Sequence, residues 1–200
     1  MSYSFYTCDT ETTGLDSRLH SPIEISIIRK SDGAQKTWFL KPINMETIDL
    51  GALRINGHKL EDLKGETKYG RETYLDPEKV IIEIENWLAE DGVPAETRCM
   101  VGQNISFDKE MLEQLWIKLQ CRDSFPFGRR YMDTMVIEMF IDYCKNATNE
   151  AEGYSLNNLS RKYGVKNEKS HSASADTKCC DEIFDKQIIF FKKILNTHSE

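Results

Sequence analysis

The sequence predicts an α/β domain built on a mixed five-stranded sheet flanked by helices. Three observations carry that expectation. Three β-rich runs open the chain, shorter β runs then alternate with helical patterns, and 40% of the residues are apolar, enough for one core. The predicted order is βββ-α-β-α-β-α-α-α, and with 200 residues the simplest account is one domain over residues 1–200.

The elements follow in order. Ser2 to Thr10 reads as a strand, with Phe5 and Tyr6 in the run. Pro22 to Lys30 carries Ile23, Ile25, Ile27 and Ile28. Ser31-Asp32-Gly33 signals a turn, and Thr37 to Leu40 completes an antiparallel meander. Asp76-Pro77 places an N-cap before a proline at the first helical position, and Val80, Ile81, Ile84 and Leu88 repeat at helical spacing. Cys99 to Gly102 reads as a short strand, followed by a helix from about Phe107 with Met111, Leu112 and Leu115. Tyr131 to Asp133 reads as the fifth strand and leads into a helix with Val136, Ile137, Phe140 and Ile141. Ser155 caps a short helix that ends at Gly164, and the last helix spans about Ala175 to Leu195.

Composition narrows the function. A net charge of −7 argues against a protein that coats nucleic acid through counterion release. It leaves room for a site that uses bound cations, which invert the local charge logic. The six cysteines show no C-x2-C spacing, so a zinc site is not expected, and the adjacent Cys179 and Cys180 read as helix core packing. The sequence shows neither a basic, apolar leader nor an apolar run near the roughly 20 residues needed to span a bilayer. Reduced thiols in a cytoplasmic protein, with no membrane partner, are the expectation.

Three acidic segments carry the chemistry. Asp9 and Glu11 lie two apart at the end of the first strand, so both project from one face. Two neighbouring anions repel unless a cation sits between them, and an all-oxygen set suits Mg²⁺ or Mn²⁺. Taken alone, Asp9 and Glu11 fit an exposed strand end with ordinary acids equally well. Gly14 then allows close backbone approach to a ligand. The second segment, Asn104-Ile105-Ser106-Phe107-Asp108, opens a helix with Asp108 in its first turn, where the helix dipole favours a negative charge. The third runs from His171 to Asp176. Five positions apart, the two do not stack on one helix face, so His171 falls on a loop and Asp176 on the first turn of the last helix.

Together these segments resemble the DEDDh exonucleases of the DnaQ-like group, which share the ribonuclease H-like fold. The group includes the DNA polymerase III epsilon subunit, exonuclease X and ribonuclease T. Lesser echoes are Ile23-Glu24-Ile25, Ala52 to Gly57, Asp133-Thr134 and Leu156 to Val165. One departure is Gln103, where relatives often carry His before the Asn. The resemblance implies a 3′→5′ exonuclease that releases nucleoside 5′-monophosphates. Asp9, Glu11, Asp108 and Asp176 would hold two Mg²⁺ or Mn²⁺ ions, and His171 would be the general base. Thr12, Leu15, Ile55, Asn56, Asn104 and Phe107 match positions around the terminal nucleotide. Two metals roughly 4 Å apart serve the attacking water and the leaving oxygen of one phosphodiester. Single-stranded DNA is the expected substrate, with RNA as an alternative. A catalytically silent module that binds strand ends or a polymerase is a further alternative. The expected partners are a nucleic-acid 3′ end and a polymerase or repair protein.

Overall fold

In the computed structural model, which describes residues 2–65, 74–121, 125–146, 153–167 and 171–197, the strands form one sheet in the order β3-β2-β1-β4-β5. Strands β1 (Ser4–Thr12), β2 (Pro22–Arg29) and β3 (Ala34–Phe39) make the expected antiparallel meander. Strands β4 (Arg98–Gly102) and β5 (Tyr131–Asp133) add in parallel on the other side of β1. Helix α3 (Pro77–Ala89) precedes β4, and α4 (Ile105–Lys118) connects β4 to β5. Helices α5 (Thr134–Cys144), α6 (Leu156–Tyr163) and α7 (Ala173–Thr197) complete the chain. This is a mixed five-stranded sheet flanked by helices, the ribonuclease H-like arrangement.

Side-chain alternation along the central strands sorts the two faces. Tyr6 and Cys8 of β1, with Ile25 and Ile27 of β2, turn to a core shared with Val80, Ile81, Ile84 and Leu88 of α3 and Leu112 and Leu115 of α4. The alternate residues face α7. Phe5 meets Phe184 edge-on, the Thr7 hydroxyl donates to Asp181 Oδ1 at 2.6 Å, and the Thr177 hydroxyl donates to the Ser26 carbonyl. Asp9 and Glu11 belong to this second set, so the strand period alone points both carboxylates toward α7. Every residue of β2 is buried. Its isoleucine run therefore reads as a strand covered on both faces, not as one half-exposed.

Several sequence expectations shift. Strand β1 runs to Thr12 instead of ending at Thr10, so both acids are inside the strand. Two helices after β3 were not expected: α1 (Leu50–Asn56) and α2 (Leu60–Leu63). Each buries only one residue, Leu53 and Leu63, which leaves almost no periodic signal. Capping holds α1 instead, with the Asp49 carboxylate accepting from the Gly51 N–H and left-handed Gly57 closing the end. Helix α4 starts two residues earlier than Phe107 and α7 two earlier than Ala175. Val136 and Phe140 of α5 are exposed, so the apolar stripe there only partly faces the core. The cap at Ser155 and the left-handed stop at Gly164 stand as expected, and Cys179 and Cys180 are buried on α7.

Gly102 ends β4 where β4 passes β1. A Cβ there would lie 2.5 Å from Ile105 Cδ1 and 2.9 Å from the Cys8 carbonyl oxygen. The isoleucine tip can give, but the strand backbone one residue before Asp9 cannot move freely. Gly102→Ala should therefore cost about 1–3 kcal/mol, the usual cost of overpacking. The check is a urea unfolding midpoint that falls with the slope unchanged. A midpoint equal to wild type would show that β1 yields at Cys8 without strain.

Candidate active site

The site forms where β1 outruns its parallel neighbour. The ladder to β4 pairs Ser4 through Thr7 and stops there. Past that point α4 begins, and Asp108 supplies the partner that a strand would have supplied. Its Oδ1 accepts the Thr10 N–H at 2.9 Å and the Thr10 hydroxyl at 2.8 Å. Asp108 is 4% exposed. The carboxylates of Asp9, Glu11 and Asp176 converge, with one ligand oxygen from each lying within 4.8 Å of the others. Asp108 is not part of that group of three, although its charge acts on both Asp9 and Glu11.

Asp176 is held from two sides. Asn167 Nδ2 donates to Oδ1 at 2.6 Å, and the His171 N–H donates to Oδ2 at 3.0 Å. His171 adopts left-handed backbone, φ 66°, which bends the loop back so that its N–H meets Asp176 five residues on. Its ring is exposed and electrostatically coupled to Asp176. Asn167 and Thr10 orient two of the acids, and sequence reasoning missed both. Thr10 carried a usable signal, since it sits between the two acids on the strand. Asn167 lay in a polar loop with none.

The electrostatics are unfavourable without a cation. Burial raises Asp9 far above the ordinary carboxylate range, and Asp108, Asp176, Glu11 and Glu24 push it further. Burial and then Glu24, Asp176 and Asp108 lift Glu11 to about 8. Asp176 is raised by burial despite the Asn167 and His171 hydrogen bonds. Asp108 is likewise raised by burial, which outweighs its two bonds from Thr10. Closely spaced, oxygen-only, desolvated acids are the donor set that hard divalent cations require, so the residues present fit such an ion.

The positions expected around a terminal nucleotide divide into exposed and structural groups. Leu15 and Ile55 are 82% and 65% exposed. Phe107 is half-buried, and Asn104 is exposed with left-handed backbone, φ 53°. Thr12 is buried, its hydroxyl donating to the Gly14 carbonyl. Asn56 Nδ2 donates to the Thr12 carbonyl at 3.1 Å and so clips the end of α1 to the end of β1. Gly14 does permit a close approach, but the approaching group is the ring of His20. A Cβ at Gly14 would lie 2.5 Å from that ring, so the glycine serves the loop itself. Lys118 Nζ ties the same loop to α4 by donating to the Ser17 and His20 carbonyls. Gln103, which departs from the His often found there, accepts from the Thr134 hydroxyl and donates to the Tyr154 carbonyl.

An acidic, desolvated site of this kind at the end of a central β-strand suits the binding of a divalent cation. Residues 7–184 match the RNase T-type exonuclease family, and the chain belongs to that family. A DNA polymerase III of PolC type from Thermotoga petrophila is 25% identical over 194 residues, which is 96% of this chain and 12% of the polymerase. E. coli exonuclease I, solved with a dT13 oligonucleotide, superposes with a TM-score of 0.71 at 18% identity, over 100% of this chain and 44% of that one. The cell-death related nuclease CRN-4 superposes with a TM-score of 0.74 at 13% identity, over 94% of this chain and 64% of that one. The chain thus spans a small part of the polymerase and less than two thirds of the two nucleases. Among the described residues no helix is long and apolar enough to cross a membrane.

The raised carboxyls make stability depend on pH in a definite direction. A group whose folded value exceeds its unfolded value favours the folded state below the unfolded value, and that contribution is lost as pH rises through the folded one. For Glu11 the window runs from 4.5 to about 8. In chelator, Glu11→Gln should therefore melt higher than wild type at pH 8 and close to wild type at pH 4. Millimolar Mg²⁺ or Mn²⁺ should raise the wild-type melting temperature strongly at pH 8 and little at pH 4, and the variant much less. Thermal melts across pH check this, at roughly 2–4 °C per kcal/mol. A variant that melts below wild type at pH 8 in chelator would contradict the electrostatic account.

Proposed function

We propose that this chain is one 3′→5′ exonuclease domain that releases nucleoside 5′-monophosphates from the 3′ ends of single-stranded DNA. The observation that carries the reading is the convergence of Asp9, Glu11 and Asp176, with the His171 loop bonded to the last of them. Asp9, Glu11, Asp108 and Asp176 hold two divalent ions, Mg²⁺ or Mn²⁺. Those ions, when bound, supply a water of lowered pKa and neutralise charge that builds on the phosphate. His171 takes the proton from the attacking water, and the neighbouring Asp176 carboxylate stabilises the imidazolium that results. Leu15, Ile55 and Phe107 give the terminal base apolar surface to stack on, which tolerates any sequence. Asn104 offers polar contact beside it. Asn56 and Thr12 hold the floor of this seat through their mutual hydrogen bond.

Three findings support single-stranded DNA and a replication or repair partner: the DNA polymerase relative, the oligonucleotide bound to exonuclease I, and a further exonuclease I structure, 17% identical, in complex with SSB-Ct. End-labelled single-stranded DNA, duplex DNA and RNA, incubated with Mg²⁺ or Mn²⁺, test the assignment. A 5′-labelled strand should shorten from its 3′ end, with DNA cut faster than RNA. Early release of a labelled 5′ mononucleotide would reverse the polarity. Faster turnover of RNA would move the substrate class.

Variants test the roles. Asp9→Asn should abolish turnover and leave the fold intact. His171→Ala should lose roughly 10²-fold or more in kcat while still binding a single strand in the presence of ions, with the acid limb of its pH–rate profile flattened. A His171→Ala enzyme within a few-fold of wild type would remove the ring from the proton path.

A further inference from the structure

Glu24 is a fifth acid at this site with no assigned role. It lies directly across the ladder from Glu11, on the face of β2 that meets α7, and is 3% exposed. A buried carboxylate beside another one is costly unless its oxygens are hydrogen-bonded. Both oxygens are taken, and neither joins the converging group of three. Oε1 accepts from the Ser174 N–H at 3.2 Å and from the Ser172 hydroxyl at 3.3 Å. Oε2 pairs with His58 Nε2 at 3.2 Å. The opposite ring nitrogen, Nδ1, lies 2.6 Å from the Tyr74 hydroxyl, and the His58 ring packs against Phe39 and Tyr74, which also touch each other.

The two arms reach different parts of the site. Ser172 follows His171, and Ser174 is in the first turn of α7, two residues before Asp176. His58 follows left-handed Gly57 at the end of α1, two residues after Asn56 and three after exposed Ile55. One carboxylate therefore joins the loop that carries the candidate base to the turn that presents the candidate base-stacking surface.

We propose that Glu24 is a positioning residue that fixes the His171 loop relative to the Ile55–Asn56 turn. A nucleotide seated on the turn is then presented at a set distance from the base. The proposal rests on the exonuclease reading above. The cost of a small displacement is large, since a shift of about 1 Å in a reacting geometry can lose on the order of 10²-fold in rate.

The test uses Glu24→Ala, Glu24→Gln and His58→Phe, each also combined with His171→Ala. It measures kcat and KM on single-stranded DNA, together with hydrogen–deuterium exchange of peptides covering 55–59 and 171–176. Glu24→Ala should lower kcat about 10-fold or more, and most of that loss should vanish when His171 is already Ala, because both act through one step. Glu24→Gln should restore kcat to within a few-fold, since its amide oxygen still accepts from Ser174. Exchange should quicken at both segments in Glu24→Ala and at neither in Glu24→Gln. His58→Phe should quicken exchange at 55–59 alone, raise KM and also lower kcat, because the seated nucleotide is no longer held at a set distance from the base.

Three results would overturn the proposal. They are losses that add fully with His171→Ala, equal damage from Glu24→Gln and Glu24→Ala, or unchanged exchange in Glu24→Ala. Equal damage would make the charge itself the function. If wild type released no mononucleotide, the exonuclease reading would fail while the exchange arms still decided whether Glu24 is a clamp. If Glu24→Ala failed to fold, His58→Phe would remove one arm and Ser172→Ala would weaken the other, leaving only the Ser174 N–H.

Discussion

Desolvation and, after it, mutual repulsion of carboxylates gathered at one strand end are the constraint around which this molecule is arranged. Asp9 and Glu11 on β1, Glu24 on β2, Asp108 on α4 and Asp176 on α7 crowd the end of the central strand. Each acid off β1 is oriented by hydrogen bonds: Asp108 by Thr10, Asp176 by Asn167 and His171, and Glu24 by Ser172, Ser174 and His58. Those bonds favour the ionised form, yet Asp108 and Asp176 remain above the ordinary carboxylate range because burial outweighs them. Orientation and neutralisation are thus separate jobs. The protein performs the first with short polar contacts and leaves the second to a divalent cation, which the exonuclease family generally uses.

The period-two geometry of β1 and β2 explains why the acids meet on one side. Asp9 and Glu11 share a face with Phe5 and Thr7, and Glu24 shares its face with Ser26. That face is covered by α7, whose first turn carries Asp176. The opposite faces of the same strands hold Tyr6, Cys8, Ile25 and Ile27 in the main core. A strand can therefore be anchored by one set of residues and do chemistry with the alternate set. A one-residue slip in register would exchange the two, so the apolar core also fixes the site.

This division decides what the sequence could disclose. Strand β2 was legible by its run of isoleucines although both of its faces are buried, and the long helices were legible because their burial is periodic: Val80 to Leu88 of α3, Met111 to Leu115 of α4. The spacing of Asp9 and Glu11 was legible through the period of two along a strand. Helices α1 and α2 were not, because each buries one residue and is held by a cap or by a contact to a distant strand, such as Asn56 to Thr12. Asn167 and Glu24 were hidden as orienting residues, since their partners are brought near only by the fold, whereas Thr10 carried a signal in its place between the two acids. Gly14 was read as a place of close approach, and in the fold the His20 ring lies where its Cβ would be. The sequence distance from Gly14 to His20 contains nothing that brings the ring over the glycine.

The same electrostatics bear on how a polyanion reaches the site. The chain carries a net charge of −7, and acids crowd the end of β1, where the proposed function places a phosphodiester. A strand therefore gains nothing from approaching the ion-free site, because the local field opposes it. With cations in place the sign at the centre inverts. In the proposed function the remaining attraction comes from exposed apolar side chains such as Leu15 and Ile55, whose contacts with bases are insensitive to charge. Ion binding and strand-end binding are then linked, each raising the affinity for the other by the same factor. That linkage gives a reason for an acidic protein to handle nucleic acid at all. On the proposed reading it engages one strand end through a few neutralised charges and stacking surfaces, with no need for a basic track along the duplex.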